Sequence, residues 1–281
     1  MKIIDAKEIS KNTIEKVGEF YKDKQTTVII LSASDDKASE VYVDKKQKAF
    51  EEVGVNCLVY DLDEYTTTQD MIDEIQKFNE DDSVTGIMVQ HPVYKGIDFR
   101  EVVSAIDPRK DIDGLHPFNQ GMKNYGEFNV LPATSLGVMK IIDANEVDVK
   151  GKFVVIVGRG FLVADPLAKA LEHRGATVVK IHTKTDVSDK VDLFQMADII
   201  IPCAGTDLSD WINPEECPNA ELLIGVGFRY IDGKQYQDFD MEDWKDVDGV
   251  MTNRINSTGL ATISALLINS VICYKNVKEG K

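Results

Sequence analysis

Tyr42 and Lys46 stand one helical turn apart, Gln90 closes an apolar run, and Asp113 lies in the turn Lys110-Asp-Ile-Asp113-Gly114. A lysine can hold or move a proton, a carboxamide can fix it in place, and a carboxylate accepts paired N–H donors. Each falls at or just past the end of one of three successive α/β units, where parallel sheets gather their ligands. Downstream, Val154-Val-Ile-Val-Gly-Arg-Gly160 runs from an apolar strand through a glycine turn into a helix. That arrangement aims backbone amides and a helix N-terminus at a pyrophosphate. A polar reaction site followed by a dinucleotide site reads as an oxidoreductase whose substrate domain comes first.

The elements that must position these residues follow from periodicity. Asp5 is predicted to cap a helix running to about Tyr21, with Ile9, Ile14, Val17 and Phe20 on its apolar stripe. Strands are predicted over 27–31, 56–60 and 84–90, with helices from Ser39 as cap to the stop at Gly54, over 68–78 and over 99–106. Val43, Phe50 and Val53 form the apolar positions of the first of these. Residues 115–133 are turn-rich without a clear period and read as a functional loop leading into a helix over 134–145. A second series has strands over 153–157, 177–182, 198–204 and 222–226, a helix over 167–173 and a closing helix over 261–274. The fold class is α/β: an N-terminal α/β domain plus a Rossmann-type parallel-sheet dinucleotide domain.

Composition narrows the partners. Among 281 residues, 48 are acidic and 32 basic, for a net charge of −16 and a pI near 4.7. That field repels nucleic acid and anionic membrane surfaces, so neither is expected as a partner. Cys57, Cys203, Cys217 and Cys273 form no CxxC pair and have no histidine at metal-ligand spacing, so neither metal nor disulfide is expected. Cys57 and Cys203 read as buried thiols in strand-like runs. The N-terminus lacks an apolar signal core, and no run approaches the roughly 18 apolar residues of a membrane span. The expected compartment is the cytoplasm.

Gly158 and Gly160 by themselves suit any turn that packs a helix on a sheet, and Val163 or Ala164 stands where a third fingerprint glycine belongs. Arg159 is what packing leaves unexplained. An NAD site usually ends its second strand in a carboxylate for the ribose hydroxyls. Here that strand runs into His182-Thr183-Lys184-Thr185 with no carboxylate before Asp186. Arg159, Thr183 and Lys184 therefore suit the 2′-phosphate of NADP, with NAD as the alternative and a solvated cationic surface as the bland reading. Asp165, in the first helical turn, is tolerable beside a pyrophosphate only if it points away.

These pieces, in this order, resemble the methylenetetrahydrofolate dehydrogenase/methenyltetrahydrofolate cyclohydrolase family. The matching stretches are Ser39-Glu-Val-Tyr-Val-Asp-Lys-Lys46, Gly86-Ile-Met-Val-Gln-His-Pro92, Pro108-Arg-Lys-Asp-Ile-Asp-Gly-Leu-His-Pro-Phe-Asn-Gln-Gly121 and Leu131-Pro-Ala-Thr134, with 151–166 and 262–269. The resemblance implies a folate-binding catalytic domain of residues 1–139 plus 262–281, a NAD(P)-binding Rossmann domain of residues 140–261, and a cleft between them. Tetrahydrofolate one-carbon derivatives would be the ligands and a homodimer the assembly. Lys46 would handle protons, Gln90 would hold it, Tyr42 would bond or stack on the folate, and Asp113 would read the pterin. Gly259 and Thr262 would border the substrate. Separately, Lys45, Lys46 and Lys48 suit a solvated helix face, and Asp111 and Asp113 suit ordinary turn formers; the joint pattern is what favours chemistry. His91 and His116 read as loop residues, His91 with a possible polar contact to the cleft.

The departures cluster on the cofactor and tail sides. The family's proline- and glycine-rich turn before the last helix is Thr252-Asn-Arg-Ile-Asn-Ser-Thr-Gly259-Leu-Ala-Thr262 here. Gly160 replaces a usual serine, Ala164 a usual glycine, and Ala133 and Ser135 a cysteine and a proline. The leading expectation is NADP-linked oxidation of 5,10-methylenetetrahydrofolate followed by hydrolysis to 10-formyltetrahydrofolate. The alternatives are a monofunctional NAD-linked dehydrogenase, a shikimate- or amino-acid-type dehydrogenase, and a folate- or nucleotide-binding relative without turnover.

Overall fold

A computed structural model describes residues 1–126, 129–231, 234–253 and 257–280. Its contacts divide the chain into two compact units, Ser10–Ala133 with Ile263–Lys281, and Met1–Ile9 with Thr134–Thr262. The second unit thus takes the first nine residues and begins earlier than the expected boundary at 140. The first nine residues join it through a short strand, β1 (Lys2–Ile4), that pairs with a strand near residue 250.

The other unit starts with α1 (Lys7–Tyr21), whose Lys7 N–H donates to Asp5 Oδ1 at 2.9 Å, as the expected cap requires. Its buried face is Ser10, Thr13, Val17 and Tyr21, which shares Val17 alone with the expected stripe. Tyr21 is held in that face: its hydroxyl donates to Ser270 Oγ at 3.1 Å and its ring meets Tyr274 edge-on at 5.8 Å. Next come β2 (Thr27–Ser32), α2 (Lys37–Glu52), β3 (Asn56–Asp61), α3 (Thr68–Glu80), β4 (Val84–Val89) and α4 (Phe99–Ser104). The three strands form a parallel sheet in the order β3-β2-β4. Strand β2, in the centre, is buried from Val28 to Ser32.

The chain after α4 returns to this sheet. Ile87 N–H donates to Lys110 O at 2.7 Å and Ile112 N–H to Ile87 O at 3.3 Å, so 110–112 lies along β4. Lys110, itself buried, turns its ammonium onto the C-terminal end of α3 and donates to Phe78 O, Asn79 O and Asp81 O at 2.8–2.9 Å. These are carbonyls that a helix end leaves without partners, and a cation suits the negative end of its dipole. The stretch read as a loop contains α5 (Pro117–Met122) and a 3₁₀ turn, Lys123–Tyr125. Pro117 at the first position and His116 Nδ1, which accepts the Phe118 N–H at 3.0 Å, start a helix that composition alone conceals.

The second unit continues with α6 (Ala133–Ala144), β5 (Phe153–Val157), α7 (Ala164–His173), β6 (Thr177–Ile181), α8 (Val187–Met196) and β7 (Ile199–Pro202). It then adds β8 (Leu222–Leu223), β9 (Phe228–Ile231), β10 (Lys234–Gln237) and β11 (Val250–Thr252). A six-stranded parallel sheet has the order β1-β11-β8-β7-β5-β6, and β9 and β10 form a separate antiparallel pair. Its core gathers Val155, Ile200, Leu223, Phe194 and Trp244.

The last helix, α9 (Thr258–Glu279), corrects an expectation: an 18-residue window of mean hydropathy 1.4 makes it long and apolar enough for a membrane span. In the fold it is a core helix. Leu266, Leu267 and Cys273 are buried, and Asn269 Nδ2 donates to Ile112 O and Leu131 O at 2.9 Å each. All four cysteines are free, and Cys203, just past β7, is half-buried where full burial was expected.

Lys110→Met leaves three helix-end carbonyls short of a charged donor. It should lower stability by about 2 kcal/mol in urea unfolding, since a charged hydrogen bond is worth on the order of 1.5–3 kcal/mol. An unchanged midpoint would show that water caps α3 equally well.

Candidate active site

On α2 the positions Ser39, Val43, Lys46 and Phe50 are all buried, a single face at i, i+4, i+7 and i+11. Lys46 is only 8% exposed, and its Nζ donates to Gln90 Oε1 at 2.7 Å. Gln90 directly follows β4 and is anchored there by its own N–H on Leu31 O at 2.8 Å. Its Nε2 donates to His91 O at 2.7 Å and to Ser39 Oγ at 3.1 Å. With both amide hydrogens committed, the carboxamide oxygen is left for the lysine. Ser39 is therefore not the helix cap: α2 begins at Lys37, and the serine hydroxyl inside the first turn orients Gln90. Sequence reading missed this role, although the buried-face spacing of 39, 43, 46 and 50 signals it.

Asp113 reaches the site through a loop that Asp111 shapes. The buried Asp111 carboxylate accepts the N–H groups of Gly114 at 3.0 Å and His116 at 2.8 Å, and Asn119 Nδ2 at 2.9 Å. Gly114 has φ +69°, and a Cβ there would lie 2.8 Å from Pro132 N, so only glycine lets the two backbones approach. Burial pushes the Asp113 carboxyl up to about 7; the Lys46 cation opposes that, Asp111 adds to it, and the Ala133 N–H opposes it. Burial also lowers the Lys46 ammonium, with Asp113 pulling the other way. An amine that releases its proton readily beside a carboxyl titrating near neutrality can pass a proton or aim a water.

The structure thus brings together Lys46, Gln90 and Asp113, with Tyr42 half-buried one turn earlier on the same helix. Lys45 Nζ stands 5.6 Å from the Tyr42 ring centre. His91 packs edge-on against Phe99, ring centres 4.9 Å apart, and burial lowers its pKa, which favours the neutral ring. His116 caps α5 and is structural. Gly259 and Thr262 lie on the first turns of α9, in the other unit, where Thr262 Oγ1 donates to Thr258 O at 2.9 Å. Residues 254–256 of the altered tail turn lie outside the described residues.

In the second unit, Gly158 follows β5 with φ +138°, a conformation that side-chain-bearing residues rarely adopt. Its N–H donates to Ile181 O at 2.8 Å, and a Cβ on it would stand 3.4 Å from Cys203 Cβ. The turn therefore sits between the ends of β6 and β7. Gly160 has open space around its Cβ position, and α7 begins at Ala164 without a side-chain cap. The chain crosses from β5 to β6 on one side and then from β6 back past β5 to β7 on the other, the switch point where such sheets bind dinucleotides. Asp165 is accounted for: it pairs with Lys180 of β6 at 2.6 Å. The β5–β6 register pairs Val157 with Ile181, so Arg159 and Thr183 each lie two residues past the paired ends, exposed like Lys184. These features fit a dinucleotide, and a turn at the end of β6 without a carboxylate fits a phosphorylated ribose.

A glycine turn at a switch point belongs to the dinucleotide-dependent enzymes, and the Lys46–Asp113 pair adds proton chemistry to that class. Residues 4–113 match the tetrahydrofolate dehydrogenase/cyclohydrolase catalytic domain and residues 132–278 the NAD(P)-binding domain of the same enzymes. The chain is 36% identical over 283 residues to the bifunctional protein FolD of Campylobacter jejuni, covering 98% of this chain and 99% of that one. The crystal structure of the bifunctional FolD dehydrogenase/cyclohydrolase from Campylobacter jejuni is similar at a TM-score of 0.91 and 35% identity, covering 98% and 99% of the two chains. The Trypanosoma brucei FolD, crystallised with NADP and an inhibitor, is similar at 0.89 and 26% identity, covering 98% and 97%. The chain belongs to the tetrahydrofolate dehydrogenase/cyclohydrolase family.

The Asp113 carboxyl, followed by carbon NMR across pH, should titrate near about 7. Lys46→Met should move that midpoint further up, because it deletes the neighbouring cation. A midpoint in the ordinary carboxylate range would mean that Asp113 is solvated.

Proposed function

We propose that this protein oxidises 5,10-methylenetetrahydrofolate to the 5,10-methenyl form with NADP and then hydrolyses that product to 10-formyltetrahydrofolate. The observation that carries the reading is the buried Lys46 Nζ–Gln90 Oε1 bond of 2.7 Å beside a carboxyl raised toward neutrality. NADP, when bound, accepts a hydride from the one-carbon bridge. The chain's residues do the rest. Asp113, ionised, accepts the amide and amino donors of the pterin. Lys46 polarises the bridge as a cation; once neutral, it takes a proton from the water that attacks the methenyl carbon. Gln90 holds the amine on line, and Tyr42 offers a ring or hydroxyl to the folate.

NADP is favoured by Arg159, Thr183 and Lys184 beyond the ends of β5 and β6, and a Trypanosoma brucei relative was crystallised with that cofactor. A homodimer in the cytoplasm completes the proposal. Exposed apolar side chains such as Val41 and Leu58 and four free thiols are compatible with it.

Mixing the protein with methylenetetrahydrofolate and each nicotinamide cofactor, followed by absorbance, tests the reading. Reduced NADP with transient methenyl product is expected; no reduction with either cofactor would leave a binding protein, and reduction with NAD alone a monofunctional dehydrogenase. Lys46→Met should slow methenyl hydrolysis by roughly 10²–10⁴-fold, the usual worth of a general acid–base. Wild-type hydrolysis by the folded variant would remove Lys46 from the mechanism. Arg159→Ser should raise KM for NADP more than for NAD, since a guanidinium pairs bidentately with a phosphate. Equal changes for both cofactors would make Arg159 a general surface cation.

A further inference from the structure

Among the described residues, beyond the proton-handling pair, the loop-shaping Asp111 and the phosphate turn, one buried acid remains without a task. Asp238, at the end of β10, is 0% exposed, the costliest setting for a carboxyl unless something is gained by it. Its Oδ2 accepts the backbone N–H groups of Ala204 at 2.9 Å and Gly205 at 3.1 Å, while Oδ1 has no hydrogen-bond partner. Its backbone carbonyl accepts the Leu208 N–H at 2.7 Å, so one residue grips both ends of the loop 204–208. Arg229 on β9 also grips this loop, donating to Thr206 O at 3.3 Å and to Asp207 Oδ2 at 2.6 Å. A side chain at Gly227 would overlap Asp238 Oδ2, so the acid fills the space a Cβ would need.

The gripped loop is placed where it matters. Cys203 N–H donates to Val157 O at 2.9 Å, and Cys203 Cβ lies beside the Cβ position of Gly158, so the loop starts against the phosphate turn. The ribose phosphate end of a dinucleotide belongs at the tip of β6, on one side of β5. Its other end must then extend toward β7, whose outgoing loop this is. Ala204, Gly205 and Thr206 are small, and Gly205 adopts φ +66°; such a segment has little of its own to keep it ordered. Ordering it only on binding would subtract from affinity.

We propose that Asp238 is a positioning residue for the dinucleotide: its buried carboxylate holds the Ala204 and Gly205 amides so that the loop meets the cofactor already formed. This rests on the NADP-linked function proposed above.

The test measures NADP affinity of the full chain by calorimetry without folate, and folate affinity without NADP. Asp238→Ala removes the acceptor and should weaken NADP by about ten- to a hundredfold, the worth of ordering one or two residues, leaving folate affinity unchanged. Asp238→Asn keeps a carbonyl oxygen at the Oδ2 position but buries two N–H donors without an acceptor, so it should retain only part of the wild-type NADP affinity. In ligand-free wild-type protein, the Ala204 and Gly205 amides should be protected from hydrogen exchange, a readout that needs no variant to fold. Wild-type NADP affinity in Asp238→Ala, or amides exchanging as in an open loop, would each overturn the inference. Wild-type protein that binds no NADP would overturn the proposed function, with the exchange measurement still deciding whether the clamp exists.

Discussion

An ammonium removed from water loses several kcal/mol of hydration unless oxygen atoms replace the lost shell. At Lys46 the replacement is one carboxamide oxygen at 2.7 Å and the charge of a neighbouring carboxyl. Each of those depends on further structure. Gln90 presents its oxygen because Ser39 and His91 O occupy its two N–H groups, and Asp113 is held where Asp111, Asn119 and Gly114 bend the loop. Lys110 in turn ties that loop to the end of α3. The compensation is incomplete, and this is the chemical point. A fully paired lysine would stay protonated and a solvated aspartate ionised, whereas here burial draws the two toward the same pH range.

The second unit solves an opposite problem, keeping an anion site free of competing negative charge in a protein that carries −16 overall. Asp165 stands in the first turn of α7, where a carboxylate would compete with a phosphate for the helix dipole. Lys180, on the neighbouring strand, draws it into an ion pair of 2.6 Å. The glycine turn meanwhile keeps side chains out of the approach to its amides. Arg159, Thr183 and Lys184 stay exposed beyond the paired ends of the strands, so the local field at the switch point departs from that of the whole surface.

Long apolar runs bounded by glycine were readable, and β5 spans the five predicted residues. Short elements were not. Strands β1 and β11 have three residues each, too few for a period, and α8 hides its one fully buried side chain, Phe194, in a polar sequence. On α1 the apolar stripe misled because a tyrosine with a hydroxyl partner buries more of itself than Ile9 or Ile14. At the reaction site, Tyr42, Lys46, Gln90 and Asp113 could be singled out because side-chain chemistry is written in residue type and order. Lys110 and Asp111 could not, because their partners are backbone atoms or side chains that only the folded structure brings near, and Ser39 showed itself only as a position on the buried face of α2, without its partner Gln90. Asp238 escaped for the same reason.

The strand β1 has a consequence for how the chain is made. Its register joins Lys2 to Val250 and Ile4 to Thr252, while the other unit takes its closing helix from residues 263 onward. Neither unit is contiguous, and each waits for the far end of the chain. During synthesis residues 250–252 must therefore emerge before one sheet closes, and residues from 263 onward before the other unit gains its helix. A nascent chain of this protein passes through a long vulnerable interval that two sequential domains, each folding as it emerged, would not share.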